Sequence, residues 1–434
     1  MSAVATWYAQ FRARSTDLPG AHLPWLAATR RRAMERFAAE GWPTRRTEAW
    51  RHTSLEALAQ QVFSEPDRAV LPKRMLPADD EPGHRLVFVD GRYAPALSRL
   101  GPLPTGARVG TLADALARGD EWVEPCFGEA ADGESPVALN TALAGDGAAI
   151  HIARGVAISA PIHLVFVAAS AGVANHVRNL IVAAEGTEAT IIEHYLGEDG
   201  AASFTNTVTR IEAGADARIT HLKLQQEGAA AFHLGAISVH QARGARFASH
   251  SLSFGARLAR HDITTHFDGD GCEALLNGLY HVDADRHVDH HTRIEHAYPR
   301  GTSREFYRGL VDGSARGVFT GRILVAPGAL GTDAQQRTDN LLLSRKAEAD
   351  ARPELEIYAD DVRCVHGATV GQVDEEHLFY LRARGLDDAH ARALLTYAFA
   401  AEALARVGPD ALRHRAEDAL RARLPGGDRL ETWV

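Results

Sequence analysis

Cys364 and His366 stand two residues apart in Asp360-Asp361-Val362-Arg363-Cys364-Val365-His366-Gly367-Ala368-Thr369-Val370-Gly371. On an extended backbone that spacing puts both side chains on one face. A thiolate and an imidazole are donors that iron–sulfur chemistry uses, but two are too few to hold a cluster alone. The pair also suits a buried cysteine beside a hydrogen-bonded histidine, and on the residues alone that reading is preferred. A second group is denser: His281, Asp283, Asp285, His287, Asp289, His290, His291, Glu295 and His296. Imidazoles and carboxylates at i, i+2 on a strand could bind a divalent metal or a partner. A solvated strand face produces the same string, and that reading is preferred here. The paired acids Asp360 and Asp361 could serve as acid and base, but a turn is the preferred role. Asp268-Gly269-Asp270-Gly271 lacks the downstream ligands of a calcium loop.

Composition narrows the chemistry. The chain has 434 residues, a net charge of −9 and no basic block, so a nucleic-acid footprint is not expected. Its three cysteines, Cys126, Cys272 and Cys364, are far apart, so neither a disulfide framework nor a CxxC metal site is expected. No apolar run approaches the ~20 residues that span a bilayer. The N-terminal MSAVATWYAQFRARSTD has no apolar core of a secretory signal, so a reducing cytoplasm is the expected compartment. No GxxxxGK[ST] occurs, so ATP hydrolysis by a P-loop is not expected in this chain.

Four zones must position these residues. Residues 1–83 read as helical, with Trp7, Tyr8 and Phe11 near the start, a helix from Pro24 to a stop at Gly41, and Trp50 as a packing residue. Residues 84–147 are a mixed connecting region with a hairpin at Asp90-Gly91 and a short helix over Leu112 to Arg118. Residues 148–366 alternate in short strands. Small-residue turns recur at Gly186, Gly214, Gly244, Gly271 and Gly313, at spacings of 28, 30, 27 and 42 residues. Repeats of that size suggest a β-solenoid, and a parallel β-helix is chosen over a sandwich or barrel. Residues 367–434 read as helical. Asp374 is an N-cap and Gly385 a C-terminal stop, and Asp387 caps a second helix. Its apolar Leu394 to Leu404 exceeds what a small terminal domain needs for itself. Gly408-Pro409 interrupts, and Pro425-Gly426-Gly427 ends the third helix.

Several blocks carry a resemblance over nearly the whole chain. These are TEAWRHTSL, LVFVDGRY, ALNTALAGDG, SREFYRGLVDGSARGVFTGRILVAPGALGTDAQQRTDNLLLS and PELEIYADDVRCVHGATVGQ, followed by Leu378-Phe379-Tyr380-Leu381-Arg382-Ala383-Arg384-Gly385. Together they are similar to the SufB/SufD family of SUF-system iron–sulfur cluster assembly proteins. The resemblance implies a mainly β protein, with a right-handed parallel β-helix core between N-terminal and C-terminal helical domains. It implies a non-catalytic scaffold subunit that pairs with a SufB-like subunit and docks a SufC-like ATPase, where ATP hydrolysis is expected. Gln336-Arg337-Thr338-Asp339-Asn340 lacks the cysteine of SufB-like chains, and Gly367 stands where they carry Glu. Both departures favour the SufD-like branch. By resemblance His366, with Cys364 beside it, lies at the SufB interface as a candidate ligand of a nascent cluster shared with the partner. No cofactor is expected to be held by this chain alone, flavin is left open, and the isolated chain could pair with itself. Two other classes compete: a carbohydrate-active β-helix enzyme and a metal-dependent hydrolase using residues 281–296.

Overall fold

Seven residues with left-handed backbone, Gly155, Gly186, Asp216, Gly244, Gly271, Arg300 and Gly331, have φ between 58° and 72°. Each donates its backbone N–H to the residue just before the next one in the series, from Gly155 to Glu185 and so on to Gly331 and Asp361. They are one corner of a coil, stacked turn on turn. The computed structural model describes residues 3–64, 76, 82–128, 133–200, 202–408 and 410–424. The stops expected at Pro409 and at Pro425-Gly426-Gly427 lie outside the described residues.

Each turn contributes two strands, one to each of two facing sheets of ten and nine strands. From Ala157–Ala168 to Val362–Gln372, strands on successive turns pair in parallel. This is the expected parallel β-solenoid. The uneven spacing of 42 between Gly271 and Gly313 has a simple cause. Gly313 belongs to the opposite corner, where it stacks on Ala284: a Cβ at Gly313 would lie 2.8 Å from the Ala284 N. At Gly214 the left-handed residue is Asp216 instead.

The two ends of the solenoid differ. At the first turn, the hairpin strand His84–Val89 pairs with Ala157–Ala168, and Ala107–Thr111 runs antiparallel along Ala148–Ile152. At the other end, Glu348–Ile357 and Val362–Gln372 are the last strands of their sheets. Val362–Gln372 spans both sides of the expected division at residue 366.

Strand alternation fills the lumen with Ile191, Ile211, Ile219, Ile237, Ile263, Ile294 and Phe319. Polar groups share it. Tyr195 and Tyr307, from the facing sheet, meet His233 and His290 at ring-centroid distances of 4.7 and 5.4 Å, while His233, His261 and His290, on successive strands of one sheet, follow each other at 5.0 and 4.7 Å. That rhythm follows the ~4.8 Å strand spacing. Lys223 is buried between Glu193 and Glu227, and its Nζ lies 4.8 Å from the Tyr195 ring centre.

Burial holds several histidines neutral. It pushes His290 down to about 3, and His250, His281 and His296 down to about 4. Their ordinary value is about 6.5. Between those limits the unfolded chain binds more protons than the folded one, so stability rises with pH there. The thermal midpoint should therefore fall steadily from pH 6.5 to 4. A flat midpoint across that window would contradict the buried neutral assignment.

Both outer faces are covered. The N-terminal helices Ala3–Arg14 and Pro24–Glu40, with Trp50, Leu55 and Phe63, pack on Phe204, Phe232, Leu234 and Leu258 of one sheet. Trp50 is buried, as expected for a packing residue. The C-terminal helices Asp388–Leu404 and Asp410–Arg421 lie on the other sheet. Ala393, Tyr397, Ala400, Ala403 and Leu404 cover Ile192, Leu222, Leu224, Leu252, Leu279 and Leu310. The apolar helix read as excess is thus used on the solenoid wall itself. Deleting residues 387–434 would strip that cover, at ~25 cal/mol per Å² of apolar surface re-exposed. The truncated chain should aggregate or unfold on expression. Recovery of a monodisperse β-core would refute this.

Candidate functional site

Val362, Val365, Thr369 and Val370 favour an extended backbone, and Val362–Gln372 forms the last strand of the ten-stranded sheet. It pairs on one side only, with Thr332–Leu342, placing Cys364 opposite Ala334, His366 opposite Gln336 and Thr369 opposite Asp339. Thr369 Oγ1 donates to Asp339 Oδ1 at 2.6 Å and ties the edge strand down.

Cys364 and His366 share a face, but their environments differ. Cys364 is half-buried beside Ile323, Val325 and Ala334, and burial pushes its thiol up. A raised thiol is a poor thiolate until a metal or cation lowers it. His366 is exposed and makes no hydrogen bond or ion pair among the described residues. Nothing lies within 4 Å of where a Cβ on Gly367 or Gly371 would point, so another backbone could approach there.

An apolar rim surrounds the edge. Ile357, Tyr358, Val365 and Val370 are 41, 62, 58 and 48 % exposed. The helix Glu375–Ala383, capped by Asp374, adds Phe379 at 74 % and Tyr380 at 55 %. These six are a majority of the large apolar side chains exposed among the described residues. A free strand edge flanked by exposed aromatics is a surface suited to joining another chain. Asp360 and Asp361 lie exposed in the bend that feeds this strand, in keeping with a turn.

The histidine-rich stretch 281–296 is not the solvated face expected. His281, Asp289, His290 and His296 are buried. His290 and His296 point into the lumen by strand parity, against the rings of Tyr307 and Phe267. Asp289 faces outward but lies under the N-terminal segment. It takes 2.9 Å from Arg260, 3.1 Å from His291 and 2.5 Å from Thr53 Oγ1. Thr53 Oγ1 also lies 2.8 Å from His287 Nε2. Arg260 stacks 3.8 Å over the Trp50 ring and donates to Ala49 O. Against the burial that would raise it, the donors around Asp289, His291 and Arg260 foremost, hold its carboxyl far below the carboxylate range. The stretch is therefore the clasp on which the Glu48–Thr53 block closes. Among the described residues no group of three or more His, Cys, Asp or Glu is placed to hold a metal ion.

Two buried residues beside the site were not singled out from sequence: Glu305 and Gln336, both in the lumen. Their only sequence signal is parity. Glu305 sits between Ser303 and Tyr307 at the inward positions of its strand.

The fold and this edge define a class: a parallel β-solenoid, helically covered on both faces, with one open end bearing a histidine. Residues 166–399 match the SUF system FeS cluster assembly, SufBD core domain, and residues 1–164 match the SufBD protein N-terminal region. The chain is 34 % identical to the iron–sulfur cluster assembly protein SufD of Escherichia coli (strain K12), covering 91 % of this chain and 92 % of that one. It is 31 % identical to a SufBD family protein of Synechocystis, over 88 % and 87 % of the two chains. It is 28 % identical to SufD of Bacillus subtilis, over 61 % of each. The chain belongs to the SufBD family of iron–sulfur cluster assembly proteins, as a SufD-like member. No helix among the described residues is long and apolar enough to cross a membrane.

Proposed function

We propose that this chain is the SufD-like subunit of a cluster-assembly scaffold and pairs with a SufB-like subunit through the open end of its solenoid. A SufC-like ATPase docks on the outer side of the C-terminal helices, and this chain itself catalyses no step. A nascent iron–sulfur cluster is the cargo. His366 supplies a ligand from this side with Cys364 nearby, and the partner supplies the rest, because Cys126 and Cys272 are buried far from the edge.

The observation that carries this reading is His366: an exposed imidazole without a partner, on an unpaired strand edge, inside an apolar rim. A neutral imidazole is a competent iron ligand. The test is co-expression with SufB-like and SufC-like chains. All three should co-purify. Val365→Glu with Phe379→Glu should release the SufB-like chain while the isolated subunit keeps its thermal midpoint. A complex recovered at normal yield with both substitutions would overturn the proposed interface.

A further inference from the structure

Behind His366, in the lumen, two buried polar side chains stand in line with it. Glu305, Gln336 and His366 are register partners on three successive strands of one sheet, so they share the inward face at steps of ~4.8 Å. Glu305 and Gln336 are 3 and 2 % exposed. Gln336 Nε2 donates to Glu305 Oε2. Gly321, on the facing sheet, makes room for this: a Cβ there would lie 1.9 Å from Gln336 Nε2. Gln336 Oε1 is buried and has no donor among the described residues. Leaving such an oxygen unmet is costly. The next side chain along the column with an N–H to give is His366, which makes no bond of its own.

A histidine that ligates metal hands its other ring N–H to a fixed acceptor, which sets the tautomer and the ring's orientation. We propose that Gln336, held by Glu305, is a positioning residue for His366: Gln336 Oε1 accepts one imidazole N–H and leaves the other nitrogen, as a free base, facing the interface. The iron-binding half of this statement rests on the function proposed above; the orienting half does not. The direction of the amide follows from Glu305. With Gln336 Nε2 donating to Glu305 Oε2, the amide N–H is drawn inward and the oxygen is turned toward His366; the bond is firmest above about pH 7, where the carboxylate only accepts. Burial pushes Glu305 up to about 7, and no ion pair to it is present among the described residues. Tyr307, on its own strand, is raised by burial and in turn by the Glu305 charge.

The test uses the full chain labelled with 15N-histidine, with the His366 signals identified by their loss in His366→Ala. One neutral tautomer should dominate in the native chain. Gln336→Met should give a mixture of the two, and Gln336→Glu, which keeps an acceptor oxygen, should restore one. An unchanged tautomer ratio in Gln336→Met overturns the proposal. Should that variant not fold, Glu305→Gln makes the same comparison, since an amide there no longer dictates the direction of Gln336; a mixture supports the proposal and an unchanged ratio overturns it. In the assembled complex, Gln336→Met should slow cluster formation roughly ten- to hundredfold without loss of subunits, and a normal rate overturns the proposal. If His366→Ala itself builds clusters normally, the proposed function fails, and the tautomer measurement alone decides this inference.

Discussion

Replacing His366 with Ala should leave the multi-subunit complex assembled and cut cluster formation by at least roughly tenfold, the scale on which metal sites respond to the loss of a supporting group. The expectation follows from where the side chain stands. His366 is exposed and sits on an unpaired edge, so its removal takes no packing away from the fold and at most the one hydrogen bond inferred to Gln336. The thermal midpoint of the isolated chain should move by no more than a degree or two. What is lost is a donor that the partner surface cannot replace. His287→Ala and His291→Ala are the controls, and both should build clusters at close to the native rate, because these residues face the N-terminal segment instead. Cluster content is read from the visible absorbance and acid-labile sulfide of the complex purified without air. A His366→Ala complex that fills with cluster at the native rate would end the ligand assignment.

The second large effect is on stability. Asp289→Ala should destabilise the chain by about 3–5 kcal/mol, the usual cost of removing one partner from a buried ion pair. Arg260 is 1 % exposed and would lose its buried carboxylate, keeping the half-exposed Asp262 and the Ala49 carbonyl as acceptors. Thr53 and His287 would lose their common anchor, and the Glu48–Thr53 block would loosen from the solenoid wall. Thermal unfolding of the purified chain measures this, together with proteolysis in the segment 44–56, which should become faster. Arg260→Met with Asp289→Leu should recover part of the loss, since an apolar pair of similar volume avoids the unpaired charge. An Asp289→Ala chain with the native midpoint would show that the clasp carries no energy.

Local chemistry was sufficient for much of this architecture. Alternation at a period of two announces strands, and the left-handed corners at Gly186, Gly244 and Gly271 announce a coil of nearly constant length, because both signals depend on residues only a few positions apart. The cap at Asp374 and the pairing of Cys364 with His366 on one face are legible for the same reason. Resemblance supplied the family and the special place of His366, which spacing alone left open between a ligand and a hydrogen-bonded core residue.

What only the tertiary structure decided is what covers each face. Strand parity says that Asp289 and His290 point opposite ways, but not that both are buried. That depends on Thr53, 236 residues away, folding back over the outer face. The apolar helix Asp388–Leu404 looked free because the leucines it meets, Leu222 and Leu252, lie far upstream. Glu305, Gln336 and His366 were unrelated letters until two parallel registers set them in one column. Each of these is a contact between distant segments, and a pattern with a period of two residues carries no information about which distant segment will arrive.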